Sequence, residues 1–345
     1  MSRVARGTIV LLVAVGAAGC GTREGGEDVD TSRPSEFGFQ TSIKTSKVEE
    51  GKIAYRRHCI GCHGIEGDGN GEAAKFFYPK PRNFQKANFK FSSTRSGRLP
   101  TDADLKRTIK NGLKGSAMPP FDLLPGRTVD ALLAYIKTFS PKWKEQDPSP
   151  PIPIVDDPYR PLADKSEAIA RGERIFHGYA NCWSCHPAYV DLDVLNTHRK
   201  ALGFPMYEYV RDNFHQSAGK PNAEGEIIFP PDFRRDYVRS GASVDNLYRS
   251  IASGITGTAM PTWVDSMTVP GPAEGDPPVI QPSDLWAVAY YVQSLIANRP
   301  ARFAEGTFQI RDRQRAIYLH GEPPPVKPPP EPDAGVEEDF DFDES

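Results

Sequence analysis

Cys59-Ile60-Gly61-Cys62-His63 and Cys182-Trp183-Ser184-Cys185-His186 are two complete C-x-x-C-H motifs, and they constrain this chain more than any other feature of it. Two thiols three positions apart can add to the two vinyl groups of one porphyrin, and the adjoining histidine is then held beneath the iron. The pattern predicts two covalently attached haem c groups, bound by Cys59, Cys62, Cys182 and Cys185, with His63 and His186 as proximal iron ligands. Taken singly, each motif also reads as a redox dithiol or as half of a zinc site. No second C-x-x-C lies close enough to either one to complete a four-ligand cluster.

Of the five cysteines, only Cys20 lies outside the motifs. Arg3 and Arg6 precede an apolar run from Ile9 to Val15, and the small residues Ala17-Ala18-Gly19 lead into Cys20. This is the order of a secretory signal over residues 1–19. Because it ends on cysteine, it resembles the lipobox of bacterial lipoproteins. That resemblance implies that Cys20 is lipidated and becomes the first residue of the mature protein, on the periplasmic side of a bacterial membrane. The apolar run is short for a membrane span, and two acyl chains suffice for anchoring. Residues 20–46, rich in Gly, Ser, Thr and charge, read as a flexible tether.

The remainder reads as one supersecondary plan used twice. Leu105 to Met118 is LKRTIKNGLKGSAM and Leu247 to Met260 is LYRSIASGITGTAM. In each copy a periodic segment precedes the C-x-x-C-H motif: Gly51, Tyr55 and Cys59 in the first, Gly172, Phe176 and Cys182 in the second. Thr101-Asp102 and Ser243-Val244-Asp245 open a helix after each motif. An apolar helix closes each copy, from Val129 to Phe139 and from the cap Ser283-Asp284 to Leu295. The copies differ in length between histidine and methionine, so the second carries an extra loop, roughly Val190 to Ile227. Between them, Ser140 to Pro161 holds seven prolines in 22 residues, which predicts a semi-rigid linker over 141–164. The chain of 345 residues ends in two proline runs and, from Glu331, eight carboxylates without Lys or Arg, a composition that predicts a disordered tail. A net charge of −3 argues against nucleic-acid binding.

Met118 and Met260 share the context G-[ST]-A-M-P, downstream of a motif and upstream of a helix, which Met206 and Met267 lack. Small residues let such a loop approach a porphyrin, and the following proline stiffens it. They are the candidate sixth ligands of the two irons. His198 and His215, in the extra loop, are the rivals to Met260. His58 and His177 abut the motifs too closely to reach a distal face, and His320 precedes the tail. Arg82, Arg234 and Arg235 lie in matching proline-containing loops and are candidates to pair with haem propionates. Gly67-Asp68-Gly69-Asn70-Gly71 lacks the residues of a P-loop or an EF-hand and reads as a turn.

Each half resembles a class I cytochrome c domain, and the whole is similar to bacterial dihaem cytochromes c of the tandem type. The resemblance implies an all-α fold of two tandem domains, 47–140 and 165–299, followed by a C-terminal extension over 300–345. It also implies that terminal helices cross at Gly51 and Tyr55, and at Gly172 and Phe176, with Tyr135 and Tyr291 as partners. The second half departs in placing five residues between Phe176 and Cys182, where the first places three between Tyr55 and Cys59. The implied function is a membrane-anchored carrier of single electrons without catalytic residues. Its expected partners are redox proteins such as a quinol-oxidising complex, a terminal oxidase or a reductase. The alternatives are a lipid-tethered haem subunit of a larger respiratory complex and a dihaem peroxidase-like enzyme.

Overall fold

Helix α1 (Lys47–His58) begins where the Ser46 side chain accepts the backbone N–H of Glu49, and its charges follow the helix dipole, with Glu49 and Glu50 in the first turn and Arg56, Arg57 and His58 in the last. The computed structural model describes residues 46–299, so the expectations for the signal segment, Cys20, the tether, His320 and the acidic tail lie outside the described residues. Continuing along the chain are α2 (Ile60–His63), α3 (Asp102–Asn111), α4 (Gly126–Lys137), α5 (Lys142–Glu145) and α6 (Ser166–Arg174). After these come α7 (Leu192–Ala201), α8 (Val244–Ser253) and α9 (Asp284–Ala297). The described residues are helix-rich, as expected, with one small addition. The extra loop of the second half folds into a small antiparallel pair, β1 (Lys220–Pro221) against β2 (Ile227–Ile228). No helix among the described residues is long and apolar enough to cross a membrane.

Two helix pairs organise the two halves in the same way. A Cβ placed on Gly51 would stand 2.0 Å from the carbonyl oxygen of Ala131, so α1 and α4 touch backbone to backbone where only glycine fits. Gly172 makes the same approach to Ala287, bringing α6 onto α9. Aromatic partners flank each crossing: Tyr55 and Tyr135 have ring centres 5.3 Å apart, and Phe176 and Tyr291 5.6 Å apart. Around the first crossing Tyr55, Phe84, Leu132 and Ile136 are buried. Around the second, Phe176, Leu247, Tyr248, Trp286 and Val292 are buried in a separate core.

The caps are partly as expected. Thr101 and Asp104 form a reciprocal capping box on α3, and Ser243 accepts the N–H of Asn246 on α8. Ser283 makes no side-chain cap on α9. Asp284, its first residue, accepts the N–H of Gln281 at 2.9 Å, ahead of the helix, and is clamped by both arms of Arg171 at 2.8 and 2.7 Å.

The two cores lie within one compact unit, joined by a strip of the first half from Ser92 to Gly97. Ser96 N–H donates to Ser253 O at 2.9 Å, Ser253 Oγ to Ser92 O at 3.0 Å and Gly97 N–H to Thr256 Oγ1 at 3.1 Å, while Arg95 forks onto Asp265. The proline-rich segment departs from the spacer expected of it. Ile152 is buried and its N–H donates to Ser93 O at 2.7 Å. Further on, Val155 O accepts the Trp286 indole at 2.9 Å and Asp157 accepts the Tyr290 hydroxyl at 2.9 Å. An extended segment rich in proline makes no hydrogen bonds within itself, so its free carbonyls and remaining N–H groups are open to whatever surface it crosses. Here it straps the two halves together.

Candidate functional site

In the first half α1 delivers the motif directly: Cys59 caps α1 and His63 closes the one-turn α2. The glycine-rich turn that follows has a use not visible in its composition. Its N–H groups satisfy the carbonyls of the motif, Gly69 to His63 O at 2.9 Å, Gly71 to Cys62 O at 3.1 Å and Ala73 to Gly61 O at 2.9 Å. In the second half the two additional residues are absorbed in a π-helical turn, Ile175–Tyr179, followed by Asn181 in the left-handed region (φ 48°) and a 3-10 turn, Cys182–Ser184. Widened turns of this kind take up an insertion without moving the helix ahead of them.

Both motif histidines are oriented alike. His63 Nδ1 donates to Arg82 O at 2.9 Å and His186 Nδ1 to Pro231 O at 3.0 Å, which leaves each Nε2 lone pair directed elsewhere. Each ring is stacked on a phenylalanine, His63 on Phe84 at 4.5 Å and His186 on Phe233 at 4.7 Å. Burial holds both imidazoles neutral: it lowers the pKa of His63, and it takes that of His186 down to about 4 against the opposing effects of the Pro231 carbonyl and Asp232. Burial likewise pushes the Cys59 and Cys182 thiols up to about 12. Thiols so protonated are poor redox nucleophiles, and all four motif cysteines are free of disulfides. No cluster of three or more His, Cys, Asp or Glu suited to a metal ion occurs among the described residues.

The methionine loops repeat each other atom for atom. Ser116 Oγ accepts the N–H of Met118 at 3.2 Å and donates to Leu113 O at 2.7 Å, while Met118 O accepts the N–H of Leu113 at 3.1 Å. Thr258 does the same for Met260 and Ile255, at 3.2, 2.8 and 3.2 Å. Gly112 and Gly254, both at positive φ, lie against the backbones of Pro119 and Pro261, where a Cβ would be 2.5 and 2.6 Å from the nearest atom.

Cys59, Cys62, His63 and Met118 line the same cavity as Cys182, Cys185, His186 and Met260, a single space of about 1310 Å³. Pockets for one drug-sized ligand run to roughly 1,000 Å³, so this one exceeds that range. Its walls include Phe84, Leu132 and Ile136 from the first half and Val288 and Val292 from the second. Apolar walls, protonated thiols and neutral imidazoles with one free nitrogen are the donor set and surroundings that a covalently held porphyrin needs.

The other sequence candidates separate clearly. Arg82 lines the cavity and is bonded to Glu224 of the second half at 3.2 Å. Arg234 instead lies over the Tyr189 ring, Arg235 pairs with Asp232, and neither borders the cavity. Lys90 and Arg239 do border it and were not anticipated. Lys90 sits between Phe89 and Phe91, and burial, with Arg82 and Arg239 nearby, lowers its pKa to about 8. The only hint of it in the chain is that aromatic–cation–aromatic alternation. His198 and His215 do not line the cavity. His198 faces His177 and Glu173, and His215 donates to Ala188 O, so the rivals to Met260 lie away from the site. His58 reaches the cavity from an exposed position beside Phe121. His177 is fully buried and bonded on both nitrogens, Nδ1 to Glu173 O at 3.0 Å and Nε2 to Tyr189 N–H at 3.2 Å.

Residues 46–136 match the family model described as cytochrome C oxidase, cbb3-type, subunit III. A cytochrome c domain is present. Among solved structures the chain is similar to the reducing HAO-like protein complex of Kuenenia stuttgartiensis, with 28% identity and a TM-score of 0.56 over 74% of this chain and 100% of that one. No curated protein matches it. The cytochrome domain so identified spans α1 to α4, and the same crossing, motif and methionine loop recur from α6 to α9.

Proposed function

We propose that this chain is a dihaem c-type cytochrome that carries single electrons between proteins on the periplasmic side of a bacterial membrane. Haem-based electron transfer follows from the cytochrome c domain. The further reading of two haems rests on one observation, the single cavity bordered by both C-x-x-C-H motifs and by both loop methionines. Cys59 and Cys62 would hold one haem c, with His63 and Met118 as axial ligands. Cys182 and Cys185 would hold the other, with His186 and Met260. When bound, such a group supplies a one-electron iron couple. The chain's own residues orient the imidazoles through Arg82 O and Pro231 O, stiffen the methionine loops through Ser116 and Thr258, and exclude water with Phe84, Leu132, Val288 and Val292. Arg82, Lys90 and Arg239 offer positive charge to propionate carboxylates. Acylation at Cys20 is the proposed anchor.

A permanent place in a larger redox complex is the second reading, and the similarity to a chain of the HAO-like complex favours it. The peroxidase-like reading is less well supported, because a methionine borders the cavity in both halves, and a closed iron leaves no position for peroxide. Purification of the full chain from membranes in mild detergent tests the proposal. The expected result is two haems c per chain, low-spin spectra at both irons and acyl chains on Cys20. One haem per chain, or a high-spin iron that binds peroxide, overturns it. Co-purification of a stoichiometric partner decides for the complex.

A further inference from the structure

The extra loop of the second half places one cation against the second C-x-x-C-H motif. Arg211, between α7 and β1, turns its guanidinium onto a ring of carbonyls: Nη2 donates to Trp183 O at 3.2 Å, to His186 O at 3.4 Å, to Phe214 O at 3.4 Å and to Gln216 O. Nη1 donates to the carbonyl of Asn213 at 2.8 Å and to its side-chain oxygen at 3.0 Å. Nε is buried without a partner, and no carboxylate is paired with this arginine among the described residues. Every acceptor is neutral, so the charge is solvated by dipoles and is not cancelled. A guanidinium keeps its proton in such a place.

In the first half the motif carbonyls are met by backbone N–H groups instead. There the carbonyl of His63 accepts the neutral N–H of Gly69, and the carboxylate of Asp68 lies over Gly64, the next residue, where an added Cβ would meet its oxygen at 2.4 Å. Two motifs built alike therefore differ in what meets the histidine carbonyl, a neutral N–H at His63 and the Arg211 cation at His186.

We propose, resting on the dihaem reading above, that Arg211 positions the second C-x-x-C-H motif and raises the reduction potential of the iron held there. An iron that accepts an electron loses one unit of positive charge, so a fixed cation nearby favours the reduced state. Two of the carbonyls that Arg211 holds belong to the motif itself, those of Trp183 and His186, which draws electron density from the ligand side.

Potentiometric titration of the full dihaem chain tests this, with the second centre's wave identified by its response to Met260→His. Arg211→Gln is expected to lower that one potential and leave the other in place, with two haems still attached. Asn213→Asp keeps the shape of the loop and its bond to Arg211 but cancels the charge, and the same potential is expected to fall. Arg211→Lys keeps the charge without the fork, so it is expected to lower the melting temperature while holding the potential close to wild type. Unchanged potentials in Asn213→Asp overturn the proposal, and so does a fall in Arg211→Lys as large as in Arg211→Gln, because either result leaves Arg211 a purely structural role. If Arg211→Gln fails to load its second haem, the other two variants still decide. A wild-type chain that binds fewer than two haems refutes the dihaem reading instead, and the haem count is measured first.

Discussion

Gly172 lies so close to Ala287 that an added methyl group would stand 2.0 Å from the Ala287 carbonyl oxygen and 2.7 Å from Tyr291 Cβ. Gly172→Ala must therefore push α6 off α9, at a cost of about 1–3 kcal/mol or more from overpacking. Gly51→Ala is expected to do the same to α1 and α4. Denaturant titration measures both, as a lower midpoint with the slope retained.

His177 gives the fold a defined acid sensitivity. Burial lowers its pKa to about 4, against roughly 6.5 for an unfolded histidine. Below pH 6.5 the unfolded chain binds a proton that the folded chain refuses, so stability is full above that pH and falls as pH drops towards 4. The loss amounts to about 3 kcal/mol at most. His177→Gln is expected to be less stable at pH 7.5, since it gives up a bonded nitrogen, and to show a shallower decline between pH 6.5 and 4. Urea midpoints of both proteins across that range measure the difference.

What the chain disclosed about itself is what repeats locally. The two motifs, the matched methionine loops and the glycine-aromatic crossings each occupy a few consecutive residues or one helical face, and each was readable as a pattern. Arg211, Lys90 and Arg239 were not, because their significance lies in what they face across a cavity or a loop. The docking of the segment from Ser140 to Pro161 is hidden in the sequence for a related reason. Its composition reports stiffness, whereas its docking depends on Ser93, Trp286 and Tyr290, distant residues that no periodicity connects to it. Likewise the five residues between Phe176 and Cys182 could be counted, but not the π-helical turn that absorbs them.

The methionine assignments carry a direct prediction. Met118→His and Met260→His are each expected to lower one reduction potential, since imidazole favours ferric iron more than thioether does, while covalent haem is retained. Visible spectra and potentiometry of the single variants check this. A variant that alters neither the spectrum nor either potential removes that methionine from the iron.

Limited proteolysis should find the proline-rich segment resistant. The Ile152 N–H is bonded and its side chain buried, and Val155 accepts the Trp286 indole at 2.9 Å. Trp286→Phe removes that indole donor and is expected to admit cleavage between residues 146 and 160, giving two haem-bearing fragments. Equal cutting of both proteins would show that the strap does not rely on Trp286.

Tyr237 of the second half packs on Gly115 of the first half's methionine loop, where a Cβ would meet it at 2.7 Å. Two halves built alike could vary separately, but this contact ties them. Any change of side chain at either position is at once a change to both halves, so exchanging one half for that of a distant relative would join surfaces with no shared history of accommodation. The two halves of this chain therefore vary as one unit.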